Sequence, residues 1–188
     1  ARRAFLLGEL SDRGFPLYFP VAFLLKTPVP LLLLVALALA RIPRLDRRNV
    51  LVLWMPVLVY AAFTSTRGLQ IGHRHLLPLY PFLFVAASRV ATFRFRRPRI
   101  LYPVLAIPLA ITALSSFHVA PHYLAYFNEL VGGPGNGHRY LSDSNIDWGQ
   151  DLKRLAGWMR ENGKARVKLS YFGSADPWYY GIDAERLP

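Results

Sequence analysis

RIPRLDRRNVLVLWMPVLVYAAFTSTRGLQIGHRHLLPLYPFLFVAASRVATFRFRRPR (41–99) sets two apolar runs between two arginine-rich links. The links, RIPRLDRRN (41–49) and RVATFRFRRPR (89–99), hold nine arginines against one acid, Asp46. The stretch between the two runs, roughly Thr64 to His75, holds only Arg67 and Arg74. Lys and Arg are retained on the cytoplasmic side of membranes, so this alternation reads as topology. It predicts that the middle link, and everything after Ala120, faces the exoplasmic side.

Working outward, residues 17–119 contain four apolar stretches, and each is expected to be a transmembrane helix. The run 50–66 has 17 residues, roughly 26 Å of helix, which is just enough to span. The run 74–92 begins at Arg74 or His75 and carries Pro78 and Pro81 in its first turns; 100–119 is of standard length. The first span, 20–41, is the least simple. It enters through SDRGFPLYFPVAFLLKTPVP (11–30) and is interrupted by Lys26. A lysine at mid-bilayer costs about 2.5–3.5 kcal/mol, so it is expected to snorkel, pair or face a polar cavity. Pro28 and Pro30 place a kink beside it. Residues 1–19 then form an exoplasmic loop or interfacial segment.

The chain has 188 residues, 53% of them hydrophobic, and a net charge of +12. Such a charge suggests nucleic acid or anionic lipid. From Ala120 onward, however, eight basic residues balance eight acidic ones. The excess therefore flanks the apolar runs, where basic residues set topology and meet lipid headgroups, and nucleic acid is not expected as a partner. There is no cysteine from which to read a redox compartment. The chain begins with Ala, shows no signal peptide and ends at ERLP, so it reads as part of a longer membrane protein.

After Pro121 the character changes. HYLAYFNELVGGPGNGHRY (122–140) opens like a helix and breaks in a glycine-rich turn. A helix is expected next, with Leu152, Leu155, Ala156 and Met159 on one face and Gly163 at its end. ARVKLSYFG (165–173) alternates like a strand, with Val167, Leu169 and Tyr171 on one face. Residues 121–188 are thus expected to form a small exoplasmic α/β segment, truncated before it closes. The predicted fold class is a polytopic α-helical membrane protein of about four spans followed by that segment.

Three clusters share the exoplasmic side under this topology. The first is RGFPLYFPVAFLLKTP (13–28), with Tyr18 and Lys26. An aromatic interfacial belt accounts for much of it, yet a charge within a span is a functional candidate whose natural partner near the surface is a lipid-linked phosphate. The second is RGLQIGHRHLLPLYP (67–81), where His73, Arg74 and His75 stand at a helix start after a glycine. Free N–H groups, the helix dipole and a guanidinium all favour an anion there. His73 and His75 lie on different sides of a helix, so the pair makes a poor metal site. The third is Asp143, Asp147 and Asp151, around SNIDWGQD. Spacing by four would align them on one helix face, but Gly149 and Ser144-Asn145 suggest that the helix begins within the set. Capping and turn roles then compete with catalysis or metal binding. No nucleophile–base pair, P-loop or zinc spacing is visible.

In this order, YFPVAFLLKTPVP (18–30), GHRHLLPLYPFLFV (72–85), and YFNELVGGPGNGHRYLSDSNIDWGQDLKRL (126–155) with LSYFGSADPWYYGI (169–182) resemble the C-terminal half of bacterial GT-C glycosyltransferases. The resemblance is to the family 39 type, related to protein mannosyltransferases and aminoarabinose transferases, and DSNIDWGQDL is its most specific piece. It covers essentially the whole chain. It implies a multi-pass inverting transferase of the bacterial cytoplasmic membrane, passing sugar from a polyprenyl-phosphate-linked donor to an exoplasmic lipid, glycan or protein acceptor. The family's catalytic carboxylate lies in a first exoplasmic loop outside these residues, so no catalytic residue is assigned here. By motif position Lys26 and Arg74, with His73, would hold the donor phosphate. Tyr18, His75, Asp143 and Asp147 are candidate substrate contacts. The resemblance names no certain cofactor and leaves a divalent metal open. Two other classes compete: a transporter or flippase-like protein for an anionic lipid or solute, and a membrane anchor presenting a periplasmic binding domain. The first requires polar residues spread through the span interiors, whereas here the charges cluster at one face.

Overall fold

A computed structural model of the chain describes residues 3–40, 47–66, 70, 72–94, 97–171 and 173–187. Arg41, Arg44, Asp46, Arg67 and Arg96, on which part of the topology argument rests, lie outside them. The chain divides into two compact units, Ala1–Asn145 and Ile146–Pro188. It is mostly helical, with small two-stranded sheets.

The first unit opens with a hairpin of β1 (Ala4–Leu6) and β2 (Glu9–Ser11), turning through Leu7 and Gly8 at positive φ. Residues 1–19 were expected as a loop or interfacial segment, and this pairing is a finding of the structure. Leu6 bridges to Leu141, and the Leu7 N–H donates to the Tyr140 carbonyl, tying the hairpin to the end of the unit.

The first expected span is broken rather than straight. α1 (Tyr18–Lys26) and α2 (Val29–Leu39) meet at 115° across a break of two residues. Pro28 forces Thr27 out of the helical region, to φ −92° and ψ 133°, and neither Pro28 nor Pro30 has an N–H to continue the ladder. The expected kink is therefore a bend of more than a right angle. α3 (Arg47–Thr66) and α5 (Leu101–Val119, led by a 3-10 turn over Pro98–Ile100) match the expected spans 50–66 and 100–119. Both helices are long and apolar enough to cross a membrane, and the bent pair adds a third if it counts as one span. None of the most apolar window of Pro98–Val119 is buried within the protein, so its side chains lack the cover a water-soluble core would give them. In these helices Thr64, Ser65, Thr112 and Ser116 turn their hydroxyls back onto carbonyls one turn earlier, so they present no unsatisfied donor to an apolar surrounding.

The expected span 74–92 is not one continuous α-helix. A 3-10 stretch, His73–Leu79, leads into α4 (Tyr80–Ser88), and a second 3-10 turn follows at Arg89–Thr92. Pro78 and Pro81 supply no N–H for the α-helical ladder, and the backbone tightens instead. Of the roughly four expected spans, two helices among the described residues are long and apolar enough to cross a membrane, or three if the bent pair counts as one. After Ala120 the expected opening helix is likewise replaced by short 3-10 turns at Tyr123–Ala125, Glu129–Val131 and Pro134–Arg139. Left-handed Gly132 and Gly133 interrupt the chain between the last two.

In the second unit α6 (Leu152–Glu161) buries Leu152, Ala156 and Met159 with Ile182, against Leu155, Val167, Leu169 and Tyr171. This is the face expected from the spacing. β3 (Arg166–Leu169) pairs in parallel with β4 (Asp183–Arg186), Arg166 opposite Asp183 and Leu169 opposite Arg186.

Candidate functional site

Lys26 ends α1, where the proline-driven break turns its side chain onto the segment after α5. Its Nζ donates to the carbonyls of Leu124 (2.7 Å) and Asn145 (2.5 Å) and stands 4.5 Å from the centroid of the Phe127 ring. Two carbonyl dipoles and an aromatic face replace much of the ammonium's lost hydration. Among the described residues no carboxylate pairs with it. The amine is therefore held by carbonyl oxygens and a ring face rather than by a counter-charge.

Asn145 organises this cage and is only 1% exposed. Its Oδ1 accepts the His73 backbone N–H (2.8 Å), while its Nδ2 donates to the Tyr18 hydroxyl (3.0 Å) and the Ser142 carbonyl (2.9 Å). One side chain thus joins the clusters 13–28, 67–81 and 126–155. His73 Nε2 and the Tyr80 hydroxyl are 2.8 Å apart, and that hydroxyl also bonds Thr27 Oγ1 at 2.5 Å. The Ala22 carbonyl lies close to the His73 ring, yet Nδ1 is buried without a hydrogen bond.

Two further residues shape the backbone here. Asn128 is fully buried; its Nδ2 donates to the carbonyls of Leu24 (2.5 Å) and Thr27 (2.9 Å), and its N–H to that of Leu25 (2.9 Å). It thereby satisfies carbonyls that the broken helix leaves open. Gly72 packs so closely on the third cluster that a Cβ would sit 2.6 Å from Ser144 Oγ, so no larger residue fits there without movement.

The other predicted residues are distributed as follows. Arg74 is half-buried and adjoins His75, whose ring meets Phe19 edge-on at 6.4 Å. Asp143 adopts φ 58°, takes the Ser144 N–H on Oδ1 at 2.6 Å, and lies near enough to Tyr18 for its charge to act on the hydroxyl. Asp147 belongs to the second unit, where its Oδ1 accepts the Gly149 N–H (2.8 Å) and closes a turn. Asp151 occupies the N-cap position of α6 without a side-chain capping bond. The three aspartates do not share a helix face, because α6 begins only at Leu152. Among the described residues no three His, Asp or Glu side chains cluster as a metal site would require.

Sequence reasoning singled out Lys26, His73 and Tyr18, which the fold brings together. It missed Asn145, Asn128, Thr27, Tyr80 and Phe127 as parts of the same cluster. Asn145 lies within DSNIDWGQDL, and Asn128 follows Tyr126 and Phe127 in the same longer motif, which was the available signal. No protein-family model, curated protein or solved structure matches the chain.

Proposed function

We propose that this chain is part of an integral membrane glycosyltransferase that draws on a polyprenyl-phosphate-linked sugar at the exoplasmic face of the bacterial cytoplasmic membrane. In this reading an acceptor hydroxyl attacks the anomeric carbon, the bond from that carbon to the phosphate oxygen breaks, and the acceptor proton passes to a carboxylate outside residues 1–188. Negative charge then grows on the departing lipid phosphate. Lys26, with Arg74 and His73, supplies fixed positive charge and donors to meet it. The observation carrying the reading is that Lys26, caged without a carboxylate partner, stands where the three motifs converge. Of its three protons, two are committed to carbonyls, which leaves one beyond them.

A second reading rests on the same two hydrogen bonds: Lys26 is a strut that ties α1 to residues 124 and 145 and touches no substrate. Lys26→Met and Arg74→Ala in the full-length protein, assayed in membranes with a polyprenyl-phosphate-linked sugar, separate the two. Loss of a charge that stabilises the leaving group lowers kcat on the order of 100-fold, while detergent-extracted protein still elutes as a folded species. Undiminished transfer in both variants would refute the donor-phosphate role.

A further inference from the structure

A cavity lies in the first unit, beside the Lys26 cage. It is a cleft of about 560 Å³ at the C-terminal end of α5, walled by Ser115, His118 and Glu129 and floored by Val119, Tyr126 and Phe127. Phe127 is shared: its ring faces Lys26 and also lines the cleft. Its volume lies within the usual range of small-molecule sites.

The polar groups of this cleft are fixed in place. Ser115 Oγ donates to Glu129 Oε1 at 2.9 Å, which orients the carboxylate, and among the described residues its Oε2 takes no hydrogen bond. Among the described residues the Tyr126 hydroxyl is buried without a hydrogen-bond partner, within electrostatic reach of Glu129 and of Tyr80 of the cage. A buried, unpaired hydroxyl is costly unless a ligand or water completes it. Gly132 and Gly133 carry the opposite wall at φ +78° and +75°, and no atom lies within 4 Å of where a Gly133 Cβ would be, so that wall is open.

The lining argues for one chemical class. Among the described residues it contains no lysine or arginine and does contain a carboxylate, so it disfavours a phosphate or an acidic group. Carboxylate, imidazole, serine and phenol offer both donors and acceptors over an apolar floor of Val119 and Phe127. That combination suits a molecule with hydroxyls on its edges and C–H groups on its faces. We infer that this cleft binds the sugar ring of a neutral pyranoside, with Glu129 Oε2 accepting from its hydroxyls and the apolar side chains of Leu114 and Pro134 against its C–H groups. The inference rests on the proposed transferase reading, and it places the sugar beside the phosphate that Lys26 would hold.

The test is saturation-transfer NMR on the full-length protein in a detergent without sugar headgroups. Methyl α-glucoside, α-galactoside, α-mannoside and α-xyloside are offered together, with methylamine as a cationic control. Transfer to the ring protons of at least one pyranoside is expected, weakened about tenfold or more in Glu129→Gln, which loses a charge-assisted hydrogen bond. His118→Trp, which adds bulk at an exposed position of the wall, serves if the Glu129 variant fails to fold, and is expected to abolish the signal. No transfer to any pyranoside, equal transfer in the variants, or saturation of methylamine alone would overturn the inference. None of these outcomes touches the dependence of transferase activity on Lys26, so failure of the cleft and failure of the donor-phosphate reading remain distinct.

Discussion

Replacing Asn145 by Ala removes three side-chain hydrogen bonds at a site 1% exposed to solvent. The partners do not vanish with the side chain: the His73 N–H, the Tyr18 hydroxyl and the Ser142 carbonyl are each left with one bond fewer. An intramolecular hydrogen bond contributes about 1 kcal/mol net, and orphaning a buried partner costs about 1–3 kcal/mol. Three coupled bonds are not additive, and the Tyr18 hydroxyl is free to rotate, so a total of about 3–4 kcal/mol is expected. For a chain of this length that corresponds to a fall of roughly 6–16 °C in apparent Tm. Thermal unfolding of this chain in detergent, followed by circular dichroism, measures it. Asn136→Ala serves as the control, because that exposed side chain makes one long bond of 3.4 Å to Gly132. A midpoint for Asn145→Ala within about 1 °C of the control would show that the cage is not held by this residue.

Gly72→Ala places a methyl 2.6 Å from Ser144 Oγ but 3.7 Å from its Cβ. The single variant is expected to lose about 1–3 kcal/mol, and Gly72→Ala with Ser144→Ala to recover part of it, read as a positive coupling in a denaturation cycle. Burial, with Glu129 and then Tyr80 adding to it, pushes the Tyr126 phenol from its ordinary 10.0 up to about 12. The folded protein therefore holds a proton that the unfolded chain has released. Stability from this group is intact below pH 10 and lost as pH rises toward 12. Tyr126→Phe should flatten that part of the alkaline decline, and identical profiles in variant and parent would exclude it.

How much of this was legible beforehand varies with the kind of signal. The face of α6 was readable because Leu152, Ala156 and Met159 recur at helical spacing, a local property of the chain. The break at Thr27 was readable because Pro28 acts on its immediate neighbour. Its size of 115° was not, since it depends on what packs against the two halves. The 74–92 run has the composition of a span, and composition concealed the 3-10 backbone that Pro78 and Pro81 impose. At the site, Lys26 and His73 announced themselves as polar groups at the edge of apolar runs. Asn145 did not, because its meaning lies in partners 127 and 72 residues away, and no local pattern encodes such pairings.

The bend between α1 and α2 has a mechanical side. Carbonyls at Leu24, Leu25 and Thr27 that a straight helix would consume are instead taken by Asn128, from more than a hundred residues downstream. Straightening the helix would strand the Asn128 amide, and withdrawing Asn128 would leave buried carbonyls without a donor. Bend and loop are therefore held by one set of hydrogen bonds. Asn128 adjoins Glu129 in the chain, so the bend and the wall of the cleft share one backbone segment.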